Sequence, residues 1–201
     1  MTDQITICNN ALSDVGLQPI SSLLEQSTRA AVLRDKYASA LKSVLELDVP
    51  WNFATFRARL AASPAAENTA WEWAYQYPLL TVPYCLRILE VAGDAEHEVG
   101  AHVTAGRVVW STAGPQLQIR FIGLIEDTGR WNELAVKILQ KWLAAEVAQL
   151  SSAPSRNKQT LLQELSSMIP AAEARDAREG KPRRLTPNRT FLTVRGRSRT
   201  W

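Results

Sequence analysis

The chain has 201 residues, of which 46% are hydrophobic and 21% are charged, a composition typical of a globular protein rather than a disordered one. The net charge of +3 is unevenly placed: residues 178–201 carry eight basic residues and one acid, which leaves −4 for residues 1–177. That acidic remainder argues against tight nucleic-acid binding by the main fold. A polar N-terminus, only two cysteines and no long apolar run predict a protein without a secretory signal or membrane span, in a reducing compartment.

Two helices are predicted first. The first carries an apolar stripe and stops near Gly16, a residue suited to a helix C-terminus. The second begins at Ser27, a good N-cap, and ends before Pro50. The stripe of the first helix is Ile5, Cys8, Leu12 and Val15, and that of the second is Ala30, Leu33, Tyr37, Leu41 and Val44.

After the second helix, apolar residues recur at every second position, which predicts strands. In "LQIRFI", Leu117, Ile119 and Phe121 alternate with polar residues, and residues 97–111 form a hairpin around Ala105-Gly106. "YCLRILEV" and the aromatic row "WEWAYQY" are further strand candidates.

Two more helices follow these strands. One has its stripe at Trp131, Leu134, Ile138, Trp142 and Ala145, and the last has it at Leu161, Leu165, Met168 and Ala172. Pro170 should kink or restart the last helix, because proline lacks a backbone donor and clashes with the preceding turn.

The predicted fold class is therefore α+β and mainly α. An antiparallel helical bundle (residues 1–60 and 128–179) is interrupted by a small antiparallel β-rich lobe (residues 61–127). An extended basic tail occupies residues 180–201, which hold seven basic residues and no acid.

Chemical motifs are weak in this sequence, and no catalytic, cofactor-binding or metal site is predicted. His97 and His102 have no partner at zinc-ligand spacing, and Cys8 and Cys85 are best interpreted as buried, inert thiols. The carboxylate pairs Glu96–Glu98 and Glu126–Asp127 leave open a glycan hydrolase, with solvated loops and strand edges as the favoured interpretation.

Aromatic residues lie beside basic ones in "PWNFATFRARLA". Trp51, Phe53 and Phe56 near Arg57 and Arg59 are compatible with base stacking. A role in the core is favoured for the aromatic residues, and nucleic-acid binding through the tail or through the two arginines is kept as an alternative.

Four segments in this order resemble one family, the head-to-tail adaptors of tailed bacteriophages, called tail tubular protein A in short-tailed phages. "PWNFA" after a helix and "CLRIL" carry much of the resemblance, which covers roughly residues 5–175. Tyr84 and Phe121 depart from the usual pattern. The segments are "ITICNNALSDVGLQPISSL", "PWNFATFRARLA", "YPLLTVPYCLRILEV" and "IRFIGLIEDTGRWNELAVKILQKWLAAEVAQLSS".

The resemblance implies a non-enzymatic connector without cofactor, placed at the head–tail junction of the virion and assembled in the host cytoplasm. Its partners would be the portal protein, a downstream tail or nozzle protein, and further copies of itself in a ring of twelve. Genomic DNA would pass through the ring without specific binding, and no membrane is involved. A ring needs apolar surface on two sides of each copy, and the residues predicted to supply it are Leu139, Leu143, Val147 and Leu150.

The basic tail is interpreted as a strap that docks on the portal, as in this family. "TFLTV" at 190–194 is a short β-competent run that suits strand addition to a partner, and Pro182 and Pro187 keep the tail extended. A disordered tail and a DNA-binding arm remain alternatives. The residues predicted to contact the portal are Arg183, Arg184, Leu185, Arg189, Phe191, Leu192, Val194, Arg195 and Trp201.

Overall fold

A computed structural model describes most of the chain and shows a mixed fold. Among the described residues, two helices come first, six strands follow in two antiparallel sheets, and two helices come last, so the predicted order of helices and strands is confirmed. The residues that the structure describes are 3–63, 73–94, 96–102, 106–151 and 158–179. The helices are α1 (Gln4–Asp14), α2 (Thr28–Glu46), α3 (Glu133–Val147) and α4 (Lys158–Glu179), and the strands are β1 (Thr55–Ala61), β2 (Tyr75–Pro78), β3 (Cys85–Val91), β4 (His97–His102), β5 (Gly106–Ser111) and β6 (Gln116–Gly123).

The first two helices follow the sequence closely. α2 begins at the predicted cap, since the Ser27 hydroxyl accepts a hydrogen bond from the Ala30 backbone N–H at 3.4 Å, and all five residues of its predicted stripe are buried. In α1 the stripe is displaced: Cys8 and Leu12 are buried as predicted, but Ile5 is 36% exposed and Ile7 is buried instead.

α3 is the central helix of this half, and it packs against α1, α2 and α4. α4 runs continuously through Pro170. Of the two outcomes predicted for this proline, a restart of the helix is wrong, and a kink stays a prediction. Packing on both sides of the proline holds the helix together, because Leu161, Leu165 and Ala172 are all buried.

The strands form two three-stranded sheets with the orders β1-β6-β3 and β2-β5-β4. The predicted strands at β3 and β6 and the pairing of β4 with β5 are confirmed. β1 was not predicted: residues 55–60 were assigned to the helical bundle, yet they pair with β6. The alternation of Phe56, Ala58 and Leu60 with Arg57 and Arg59 is the period-two signal for this strand, and the β-rich part therefore begins at Thr55.

A second core lies between the inner faces of the two sheets. Phe56 stacks on Phe121 with ring centroids 5.8 Å apart, and the Tyr77 hydroxyl donates a hydrogen bond to the Gly114 carbonyl. The buried members are Leu60, Tyr77, Leu79, Cys85, Val91, Val109, Leu117, Ile119 and Phe121.

Arg87 on β3 joins the sheets to the helices. Its guanidinium donates to the Asp48 carboxylate at 2.6 Å and to the carbonyls of Leu47 and Val49 at 2.9 and 3.2 Å. These acceptors follow the end of α2, where backbone carbonyls lack helical partners and attract cations. The sheets are thereby held against the C-terminal end of α2.

Candidate interaction surfaces

The end of α4 is fixed to the rest of the fold by a buried carboxylate. Asp176 is only 2% exposed, and it accepts hydrogen bonds from the Asn52 backbone N–H at 2.6 Å and from Asn132 Nδ2 at 3.2 Å. The Asn52 side chain donates in return to the Asp176 carbonyl at 2.8 Å. We call these three residues the α4 latch.

The latch joins elements that are far apart in sequence. Asn52 lies just before β1, and Asn132 caps α3 by accepting a hydrogen bond from the Ala135 N–H at 2.8 Å. Asp176 lies one turn before Glu179, the last described residue of α4. The latch therefore fixes the position from which residues 180–201 continue.

Aromatic side chains pack together next to the two asparagines of the latch. Trp51 is fully buried and its indole N–H donates to the Val44 carbonyl at 2.9 Å. Phe53 lies between Trp51 and Trp131, with ring centroids 5.6 and 5.5 Å away. The prediction that Trp51 belongs to the core is confirmed, and this packing positions the two asparagines that follow the tryptophans.

Two opposed effects act on the Asp176 carboxyl. Burial raises its pKa above the ordinary value of 3.8, because desolvation disfavours the charged form, and the hydrogen bond from the Asn52 N–H offsets part of that effect. The net direction is upward, so the latch is sensitive to pH on the acidic side.

The residues predicted to contact the portal all lie within 180–201, outside the described residues. Their interpretation as a docking segment stays a prediction. The structure describes the helix that precedes them and the latch that holds it.

The predicted ring interface requires a correction. Leu139, Leu143 and Val147 are completely buried in the chain's own core, and Leu150 is partly buried against the same core. α3 packs on three other helices of the same chain, so its buried side chains already contact those helices. Leu139, Leu143 and Val147 stabilise the fold of the chain itself and leave no accessible surface for a neighbouring copy, whereas Leu150 remains partly accessible.

Other large apolar side chains do reach solvent among the described residues. Val82 is 87% exposed and Leu24 is 77% exposed, whereas Leu139, Leu143 and Val147 of α3 are completely buried. Leu24 lines a surface cavity of about 380 Å³ at the start of α2. The exposed large apolar residues are Ile5, Leu24, Val82, Tyr84, Val99 and Leu162.

The outer face of the first sheet is basic. Arg57 and Arg59 on β1 are exposed, and Arg57 pairs across the strands with Arg120 on β6. Arg120 also forms an ion pair with Glu90 on β3 at 3.1 Å. We call Arg57, Arg59 and Arg120 the arginine face.

The candidate acid–base carboxylates have local structural partners. Glu98 accepts a hydrogen bond from the Trp73 indole N–H at 3.1 Å, and Asp127 accepts one from the Gly129 backbone N–H at 2.9 Å. Glu96 and Glu126 are exposed. These contacts fit an edge strand and a capped turn.

The two cysteines agree with their sequence interpretation as buried thiols, and of the two histidines only His97 has described side-chain surroundings. Cys8 and Cys85 are free and buried, and burial raises the pKa of each thiol to about 11, which makes both poor nucleophiles. His97 is exposed on β4. Within the described residues, no group of three or more His, Cys, Asp or Glu is arranged to hold a metal ion.

Sequence reasoning missed the residues that join the elements. Asp176 has a signal in the sequence: the inward-facing positions of α4 step through Leu161, Leu165, the partly buried Met168 and Ala172, and an aspartate occupies the next step. Lys141 also joins three helices, because its Nζ lies 3.2 Å from Asp14 and 2.9 Å from Glu164. No pattern in the sequence marks those partners.

In the part of the chain that the structure describes, none of the helices combines the length and apolarity needed to cross a bilayer. Comparison with protein-family models and with curated proteins finds no match to this chain.

Proposed function

We propose that this chain is a structural connector at the head–tail junction of a tailed bacteriophage. Copies of the chain form a ring, of twelve in the resembling family, between the portal and a downstream tail protein. DNA passes through the ring, and residues 180–201 dock on the portal. The helical half forms the bundle of the ring.

The observation that carries this proposal is the α4 latch. A docking segment transmits its attachment to the rest of a protein only if its base is fixed, and Asp176 ties the last turns of α4 both to the entry of β1 and to the start of α3. A freely frayed helix end would have no need of a carboxylate that is 2% exposed.

The distribution of charge supports the same assignment. The seven basic residues of 180–201 are interleaved with Leu185, Phe191, Leu192 and Val194, which phosphate contact alone does not require. A segment that combines β-competent apolar residues with positive charge fits strand addition or a groove on a protein partner.

The test is retention of the portal protein encoded by the same phage on immobilised chain. Deleting residues 181–201 is expected to abolish retention, while circular dichroism and the melting temperature show that the body remains folded. Retention equal to that of the full chain would refute docking through this segment.

Two matched variants separate the kinds of contact within the segment. Changing Phe191, Leu192 and Val194 to alanine removes the apolar contacts and leaves the charge, and this variant is expected to lose the portal. Changing Arg183 and Arg184 to glutamine removes charge alone and is expected to weaken retention without abolishing it. Loss only in the second variant would contradict the proposed mode of docking.

A further inference from the structure

The arginine face places three positive charges close together on one side of a sheet. Arg57 and Arg120 are directly opposite each other on neighbouring strands, where Cβ atoms lie about 5 Å apart. Arg59 is two residues along β1, which is about 7 Å away on the same face. Gln118, opposite Arg59, is exposed and uncharged.

This arrangement is not explained by the fold. Like charges directly opposite each other destabilise a sheet, and only Arg120 is compensated, by Glu90 at 3.1 Å. Among the described residues, no acid forms an ion pair with Arg57 or Arg59. The inner face of the same strand is apolar and packed, so the arginines do not complete the core.

The rest of the body has the opposite charge balance. Residues 1–177 carry 15 basic and 19 acidic residues, so the arginine face is a positively charged patch on a part of the chain whose net charge is negative. An exposed, flat basic surface on an otherwise acidic protein attracts a polyanion at one place and repels it elsewhere. Within residues 1–177, contact with a polyanion is thereby weak, restricted to this face and strongly dependent on salt; the seven basic residues of 180–201 are a separate source of attraction.

We propose that the arginine face binds the phosphate backbone of duplex DNA without reading its sequence. Guanidinium groups bind phosphate oxygens in a bidentate manner. Arg57 and Arg59 are exposed on the sheet and supply two such phosphate contacts, while Arg120 beside them is shared with Glu90. The exposed neighbours on the face include glutamines and no groove-entering element, so base readout is not expected. This inference stands apart from the proposed connector function, which survives if it fails.

The experiment measures binding of full-length protein to a fluorescein-labelled duplex by anisotropy over a range of salt. Each phosphate contact contributes about 0.9 to the slope of log K against log salt. Changing Arg57 and Arg59 to glutamine is expected to reduce the magnitude of that slope by about 2. The affinity at about 50 mM salt is expected to fall about tenfold or more.

The control removes the same charge from another place on the body. Lys36 and Lys42 are exposed on α2, and changing both to glutamine is expected to leave the slope nearly unchanged. Circular dichroism and melting temperatures confirm that both double variants are folded.

Three outcomes would overturn the assignment. The first is an unchanged salt slope in the Arg57 and Arg59 variant, and the second is an equal reduction of that slope in both double variants. The third is displacement of the labelled DNA by poly-glutamate that is as effective as displacement by unlabelled duplex at the same concentration of charge. The last result would identify the face as a site for an acidic protein segment.

Discussion

Replacing Asp176 by alanine tests whether the α4 latch holds the helix in place. The substitution removes a charged acceptor from the Asn52 N–H at 2.6 Å and from the Asn132 amide at 3.2 Å. Both bonds donate to the same carboxylate and are therefore charge-assisted, each worth about 1.5–3 kcal/mol. Because desolvation of the carboxylate offsets part of this sum, the expected loss in the free energy of unfolding is about 2–4 kcal/mol.

The assay is urea denaturation followed by circular dichroism and tryptophan fluorescence. Asp35→Asn is the control, since the Asp35 side chain is 74% exposed on α2 and forms an ion pair with the neighbouring Lys36. That variant is expected to stay within about 0.5 kcal/mol of the parent protein. A similarly small effect for Asp176→Ala would show that the latch does not stabilise the fold.

The same carboxylate predicts a pH dependence. Burial raises the pKa of Asp176 in the folded state above 3.8, so the folded protein binds this proton more strongly than the unfolded chain. The resulting stability is present below the unfolded pKa and is lost as the pH rises through the folded pKa. The stability difference between the parent protein and Asp176→Asn should therefore shift in favour of the parent as the pH falls from 7 towards 4. A difference that is constant over that range would contradict a raised pKa.

Three further outcomes follow from burial and packing. Trp51→Ala should destabilise the protein by about 3–5 kcal/mol, because the ring is fully buried; an unchanged melting temperature would place that ring outside the core. Gly123→Ala should cost about 1–3 kcal/mol in urea denaturation, because the added methyl lies 2.7 Å from the Phe56 ring; parent-like stability would mean that the ring moves freely. At pH 8, thiol reagents should modify Cys8 and Cys85 on the order of 100-fold more slowly in the folded protein than in urea, since burial raises the pKa of each thiol from 9.0 to about 11; equal rates would contradict burial of the thiols.

The spacing of apolar residues predicted the helices and strands that bury only one face. The α2 stripe and the alternation in β6 each follow a single period over many residues, and both are confirmed. β1 was missed although Phe56, Ala58 and Leu60 alternate, because the strand follows directly on a helix and a proline. The displaced stripe of α1 shows the limit for short helices, in which Ile5 and Ile7 are both apolar and only tertiary packing decides which is buried.

The interaction surfaces were less predictable, because apolar character does not say which neighbour covers a residue. Leu139, Leu143 and Val147 were assigned to a ring interface since α3 is apolar on more than one side. The structure shows that α1, α2 and α4 already occupy those sides. The latch and the arginine face depend on which segments fold together, and only β-pairing reveals that Arg57 and Arg120 are neighbours.

Native mass spectrometry of the chain mixed with the portal protein of the same phage tests the connector proposal most directly. Twelve copies of the 22.4 kDa chain would add about 270 kDa to the portal ring, and closed rotational symmetry requires that the number of added copies be fixed. A portal ring that gains no mass, or gains it in variable numbers of copies, would contradict a connector that closes into a ring.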